Sequence, residues 1–161
     1  MLAARIDNQA LSIAKENVNV SEFIYETLTI PISISKRKAE LNIESNIFMS
    51  IDKMSFPSII LNLFENAVKY SPDNSPIKIS LHKKENKIIF NVTDEGSGIP
   101  DDEKQLIFNK FYRIGNEETR KTKGTGLGLY IVKYLAEQHN GVIIVKDNTP
   151  KGSIFEIEFN T

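Results

Sequence analysis

The chain contains no cysteine. That absence removes disulfides, thiolate metal sites and cysteine nucleophiles, and it fits a reducing compartment. It also lacks an excess of either charge, with 20 Lys and Arg against 21 Asp and Glu and a net charge of −1. Such a balance gives no bulk attraction to nucleic acid or anionic lipid. No apolar run approaches the roughly 20 residues that cross a bilayer, and no signal-peptide pattern opens the sequence. Histidine is scarce, with two in the chain. What is present is ordinary for a globular protein: 40% hydrophobic and 25% charged residues. At 161 residues the chain can build one core and is too short for two ordinary domains.

Leu2, Ile6, Ala10, Ile13 and Ala14 recur at helical spacing over residues 1–16, and Asn17-Val18-Asn19 breaks that pattern. Ser21 reads as the N-cap of a second helix reaching about Lys38, with Glu22 in its first turn and Pro31 expected to kink or interrupt it. Ala39–Ile43 and Asn46–Ile51 read as short strands around a Glu44-Ser45 turn. A helix follows from about Met54 to Tyr70, with Pro57 tolerable only in its first turn. Ile77–Lys83 and Lys87–Thr93 alternate apolar and polar residues around Glu85-Asn86, the pattern of a hairpin. Pro100–Ile107 reads as a short helix. Residues 108–123 are polar and aperiodic, the signature of a long functional loop or lid. Thr125–His139 reads as a helix closed by Asn140-Gly141. Val142–Lys146 and Ser153–Phe159 read as strands around a Thr149–Gly152 turn. Strands and helices come in blocks, so the pattern favours α+β, with a mixed sheet of about five strands and helices on one face.

Asn62, Asn66 and Lys69 fall at i, i+4 and i+7 and share one helix face. Two stacked amides beside a lysine suit a hydrated magnesium ion and phosphate oxygens, since magnesium takes oxygen ligands and keeps several waters. The same three residues would also make a plain solvent-facing helix surface. Asp94 ends a strand and precedes Gly96 and Gly98, which allow close backbone approach and positive φ. A carboxylate there can accept a hydrogen bond from an exocyclic amine, although such a turn is common in isolation. Gly124, Gly126 and Gly128 lead into a helix whose N-terminal N–H groups suit an anion. A dinucleotide fingerprint fails on context, because a charged loop rather than a strand precedes these glycines. A P-loop fails for want of a closing Gly-Lys-Ser/Thr.

Read in order, the segments Asn62–Tyr70, Asp94–Gly98, Phe108–Arg113 and Gly124–Leu129 resemble the N, G1, F and G2 boxes of the ATP-binding domain of bacterial sensor histidine kinases. The resemblance covers nearly the whole chain. It implies the two-layer Bergerat (GHKL) fold, with ATP and Mg2+ as cofactors. By resemblance Asn66 is the principal magnesium ligand and Asn62 assists, Lys69 contacts phosphate, and Tyr70 packs on adenine or ribose. Asp94 reads the adenine amine, with Gly96, Gly98 and Ile99 beside it. Gly124, Thr125, Gly126, Leu127, Gly128 and Leu129 hold the phosphates and hinge the lid. Phe108 and Phe111 anchor the lid, and Lys110 and Arg113 reach the γ-phosphate. Ser153 stands where the family often has threonine and would share a water with Asp94. Lys123 stands where the family frequently has glycine, which leaves its role open, and Arg120 and Lys121 suit a solvated loop.

Related ATPases of this fold place a water-activating glutamate four residues before the metal-binding asparagine. Here that position is Asn62, which is no base, and Glu65 is expected to point about 100° away around the helix. The resemblance therefore implies a protein-histidine kinase that holds ATP without hydrolysing it quickly. Neither His82 nor His139 lies in a phosphoacceptor-like motif, and His139 at a helix end suits a partial positive charge. Residues 1–18 are read as the remnant of a dimerisation-domain helix and 19–161 as the catalytic domain. The acceptor histidine would then sit on a dimerisation domain absent from this chain, with a response regulator downstream. The implied setting is the cytoplasmic side of the bacterial inner membrane, with the fragment a monomer or weak dimer and mobile over residues 112–123. Two alternatives stay open: a non-catalytic nucleotide-binding regulator, and a serine kinase of the anti-sigma type on the same fold.

Overall fold

A computed structural model describes residues 2–8, 11–115 and 124–160. Its main sheet has five strands in the order β2-β4-β5-β7-β6: β2 Ala39–Ile43, β4 Ile77–Lys84, β5 Lys87–Thr93, β7 Ser153–Asn160 and β6 Gly141–Asp147. β2 and β4 are parallel and the other pairs antiparallel, so the sheet is mixed. Register decides which side chains meet the core. Ile79 faces Val92 and Leu81 faces Phe90. Phe90 faces Ile157 and Val92 faces Phe155. Because side chains alternate along a strand, these residues share one face, and all are buried. The next residues along, Ser80, Asn91 and Glu156, pair with one another on the opposite face. Helices α2 (Val20–Ser35), α3 (Pro57–Tyr70) and α4 (Gly128–Gln138) supply Ile24, Leu28, Ile59, Leu63, Phe64, Val132 and Leu135 to the same core. The α+β reading and the five-stranded sheet hold.

Several local expectations change. The first helix, α1, spans only Leu2–Asp7, and Glu16–Asn19 forms strand β1 instead of a helix end. β1 pairs with β3 (Phe48–Ile51) in a separate two-stranded sheet, Val18 opposite Met49. β2 and β3 therefore do not form a hairpin with each other. Asn19, not Ser21, caps α2, its side chain accepting from the Glu22 N–H. Ser21 is buried, donating to the Glu44 carbonyl and accepting from the Ile47 N–H. Helix α2 runs on through Pro31 without a break. The Pro100–Ile107 helix is not formed; turns lead to one 3-10 turn at Leu106–Phe108.

His139 departs furthest from its expected role. It is buried, its Nε2 accepts from the Asp52 N–H at 3.1 Å and its Nδ1 lies 2.7 Å from the Leu135 carbonyl. An acceptor Nε2 requires the proton on Nδ1, so the ring is neutral. Burial pushes its pKa below the ordinary histidine value, against the smaller opposing pull of the Leu135 carbonyl. A histidine with a depressed folded pKa contributes stability that is complete above its unfolded pKa, about 6.5, and is lost as pH falls through the folded value. Urea midpoints of the unmodified chain should therefore fall as pH drops from 7 to 5, and less steeply in His139→Gln.

Candidate functional site

Helix α3 presents Asn62, Asn66, Lys69 and Tyr70 to a cavity of about 820 Å³, within the size range of small-molecule sites. The end of β5 brings Asp94, Ser97, Gly98 and Ile99 to the same space, and the start of α4 brings Gly124, Thr125, Gly126, Gly128 and Leu129. Tyr112 and Arg113 close one side, and Ser153 and Phe155 of β7 contribute from beneath. Residues separated by up to 93 positions, Asn62 to Phe155, thus line one volume.

Asp94 is 5% exposed. Its Oδ1 accepts from the Gly96 N–H at 2.7 Å. Burial raises its pKa above the ordinary carboxylate value, against N–H groups of Gly96 and Ser153 that favour the charged form. Its backbone is pinned from both directions: its N–H donates to the Ser153 carbonyl, and its carbonyl accepts from Asn148 Nδ2 at 3.0 Å. Gly96 does not line the cavity; it lies against the Tyr70 carbonyl, which a Cβ there would meet at 2.5 Å. Gly98 has φ +78°, the left-handed region that favours glycine.

On α3, Asn62 Nδ2 donates to the Ser58 carbonyl at 2.7 Å. Its Oδ1 lies so close to Gly128 that a Cβ there would meet it at 2.8 Å. Lys69 Nζ reaches beneath Gly124, where an added Cβ would stand 2.4 Å away, and sits 4.9 Å from the centre of the Tyr70 ring. The lysine therefore joins the α3 face to the glycine-rich segment. The first residue before α4, Leu127, supplies no side-chain cap, so the first N–H groups of the helix remain suited to an anion. Leu127 itself is buried outside the cavity lining.

The loop after the 3-10 turn departs from expectation. Phe108 is buried, but Phe111 is 65% exposed with φ +63° and is not part of the cavity wall. Its N–H donates to the Gly126 carbonyl, tying this loop to the glycine segment. Gly126, φ +72°, has no room for a Cβ, which would stand 2.8 Å from the Phe111 backbone. Gly126→Ala should therefore weaken ligand binding about tenfold or more while lowering stability by about 1–3 kcal/mol, read by titration and urea unfolding. Lys110 stands apart from the cavity. It pairs with Asp7 of α1, which also accepts from the Tyr130 hydroxyl. Glu65, expected to point away, is an exposed residue of the cavity wall. Sequence reasoning missed Asn148 and underrated Gly152, because neither lies in a recognisable segment. Arg120, Lys121 and Lys123, and the lid from 116 to 123, lie outside the described residues.

A family model described as histidine kinase-, DNA gyrase B- and HSP90-like ATPase matches residues 51–161. The chain belongs to this family. Among curated relatives it is 28% identical to the signal transduction histidine-protein kinase ArlS of Staphylococcus haemolyticus, over 96% of this chain and 37% of ArlS. It is 31% identical to the sensor protein SrrB of Staphylococcus aureus, over 96% of this chain and 27% of SrrB. Among solved structures, a mycobacterial sensor histidine kinase, MprB, superposes with a TM-score of 0.80 at 27% identity, covering 91% of this chain and 97% of that one. These relatives identify the chain as the ATP-binding catalytic domain of the sensor histidine kinase type. It spans only a minor part of the curated relatives it matches.

Proposed function

We propose that this domain binds Mg-ATP in the cavity and transfers the γ-phosphate to a histidine on a dimerisation domain outside this chain. The observation that carries the reading is one cavity lined both by the buried Asp94 and by the uncapped start of α4, with Lys69 beneath Gly124. Asp94 would accept from the adenine amine, and Tyr70 would pack on the base or ribose. Lys69 and the N–H groups from Gly124 to Gly128 would hold the phosphates, and Arg113 would stabilise charge that develops on the γ-phosphoryl group. Ser153 would support Asp94 through a water.

Among the described residues no cluster of His, Cys, Asp or Glu could hold a metal alone. Asn66 and Asn62 line the cavity and carry amide oxygens, a donor set that fits magnesium shared with phosphates better than a protein cage. Bound there, magnesium would neutralise phosphate charge. Asn66→Ala should remove most of the magnesium dependence of ATP affinity, seen by titrating ATP with and without chelator. Arg113 lines the cavity and Lys110 does not, so Arg113 is the better candidate for the γ-phosphate.

An asparagine at position 62 leaves no base four residues before Asn66, which suits a domain that waits for a protein nucleophile. Glu65 at the rim is solvated and one residue out of phase. We read α1 as the end of a dimerisation-domain helix, with the unit 19–161 as the catalytic domain and β1 anchoring the connection. The full-length protein would be a membrane-anchored sensor kinase passing phosphate to a response regulator. The test is incubation of this chain with γ-labelled ATP and its kinase's own dimerisation domain. Acid-labile label on that domain is expected; acid-stable label would indicate a serine kinase, and ATP binding without transfer a regulator.

A further inference from the structure

Arg37 is a buried cation, and the hydrogen bonds of its guanidinium among the described residues all go to one short segment. The residue follows Lys36, which closes α2 in the left-handed conformation at φ +54°, and it precedes β2. From there its guanidinium reaches the C-terminal end of α3. Nη1 donates to the Val68 carbonyl at 2.8 Å. Nη2 donates to the Pro72 carbonyl at 2.6 Å, the Ser75 carbonyl at 3.2 Å and the Ser71 hydroxyl at 2.8 Å. The Ser71 hydroxyl in turn donates to the Ala67 carbonyl at 2.5 Å. The carboxylate nearest the guanidinium, Asp73, is fully exposed at 3.8 Å and adds little. A buried charge is costly unless its donors are met. Here the two Nη groups are met by the Val68 carbonyl, which the end of α3 leaves unpaired at the negative end of its dipole, and by the Ser71 hydroxyl and the Pro72 and Ser75 carbonyls just past it, while the buried Nε has no hydrogen-bond partner among the described residues.

The segment that Arg37 clasps, residues 68–75, contains Lys69 and Tyr70. The Tyr70 carbonyl is packed against Gly96, two residues after Asp94. The end of α3 thus contacts both a buried arginine and the turn that carries the buried carboxylate. Neither Arg37 nor its partners Ser71, Pro72 and Ser75 line the cavity.

We propose that Arg37 is a positioning residue for nucleotide binding, fixing the end of α3 so that Lys69 and Tyr70 stand at the correct distance from Asp94. This inference rests on the ATP reading of the cavity. Arg37 touches no ligand; it acts through the α3 end. A methionine has similar length and no donors, so the Val68 and Ser75 carbonyls lose the donor that Arg37 supplies, and the Pro72 carbonyl keeps only Ser75. A lysine keeps the charge but cannot bridge the spread of acceptors that the planar fork meets.

The experiment is ATP titration by calorimetry in magnesium, on the unmodified chain, Arg37→Met, Arg37→Lys, Tyr70→Ala and the double variant Arg37→Met/Tyr70→Ala, with folding checked by circular dichroism. Arg37→Met is expected to weaken ATP binding about tenfold or more, and Arg37→Lys less. Once Tyr70 is alanine, the Arg37→Met loss should shrink to about twofold, because residues acting through one another are not additive. A general loss of stability would instead give the same loss in both backgrounds and would overturn the proposal. So would unchanged affinity in folded Arg37→Met, or in Arg37→Lys if the methionine variant does not fold. Failure of the unmodified chain to bind ATP would sink the proposed function and this inference with it. Binding by the unmodified chain with no loss in the Arg37 variants would sink this inference alone.

Discussion

Asp94→Asn should lower ATP affinity by about 100-fold or more while leaving the fold at least as stable as before. The two halves of that expectation have one cause. Asp94 is buried, and burial disfavours its charged form. For a carboxylate whose folded pKa is raised, the ionised form is a cost of folding at neutral pH, and that cost disappears as pH falls below the unfolded value, about 3.9. An asparagine has no such cost. Its Oδ1 can still accept from the Gly96 N–H, so the turn keeps its bond. Toward the ligand, however, the amide presents a donor where an exocyclic amine needs an acceptor. Calorimetric titration and urea unfolding of the same variant read both halves. A variant that loses binding only because it unfolds would contradict the assignment of Asp94 to the ligand.

Gly152→Ala should cost more than about 3 kcal/mol and abolish binding with it. Gly152 has φ +107°, outside the range that an alanine adopts without strain. A Cβ would stand 2.0 Å from the Asp94 carbonyl oxygen and 2.8 Å from the Glu95 Cα. Both are backbone atoms, so neither can swing aside. The same backbone is fixed by Ser153 and Asn148, and relaxing the clash means moving the strand end that aims Asp94. Urea unfolding should show a shift far larger than that of Gly124→Ala, where the obstructing atom is the mobile end of Lys69. Similar shifts for the two glycines would remove the special role given to the β5–β7 junction.

Much of this molecule can be read from the chain alone because its strongest signals are local. The hairpin of β4 and β5 shows alternation in β4 and in the second half of β5, around Glu85-Asn86, and Glu85 takes the positive φ of +54° that the tight turn needs. The α3 face carrying Asn62, Asn66 and Lys69 follows from helical spacing, and it does meet the cavity. The errors fall where distant residues decide. Asn17-Val18-Asn19 reads only as a break after the helical pattern, but pairing with Phe48–Ile51, far along the chain, makes Glu16–Asn19 a strand. Pro31 reads as a breaker, yet α2, whose Ile24 and Leu28 pack in the core, continues through it to Ser35. His139 reads as a cation at a helix end until the Asp52 N–H and its burial show it to be neutral. Lys110 sits among residues assigned to phosphate, and only the fold brings Asp7 to it. Gly152, Asn148 and Arg37 carry no sequence signature, because what they touch lies 31 to 58 positions away.

The most direct test is calorimetric titration of the unmodified chain with ATP, with and without magnesium. The account predicts saturable one-site binding that weakens sharply when magnesium is chelated. Absence of heat in both titrations, under conditions where the chain is folded, would contradict it: a cavity built from Asp94, Lys69, Asn66 and the start of α4 would then not be a nucleotide site.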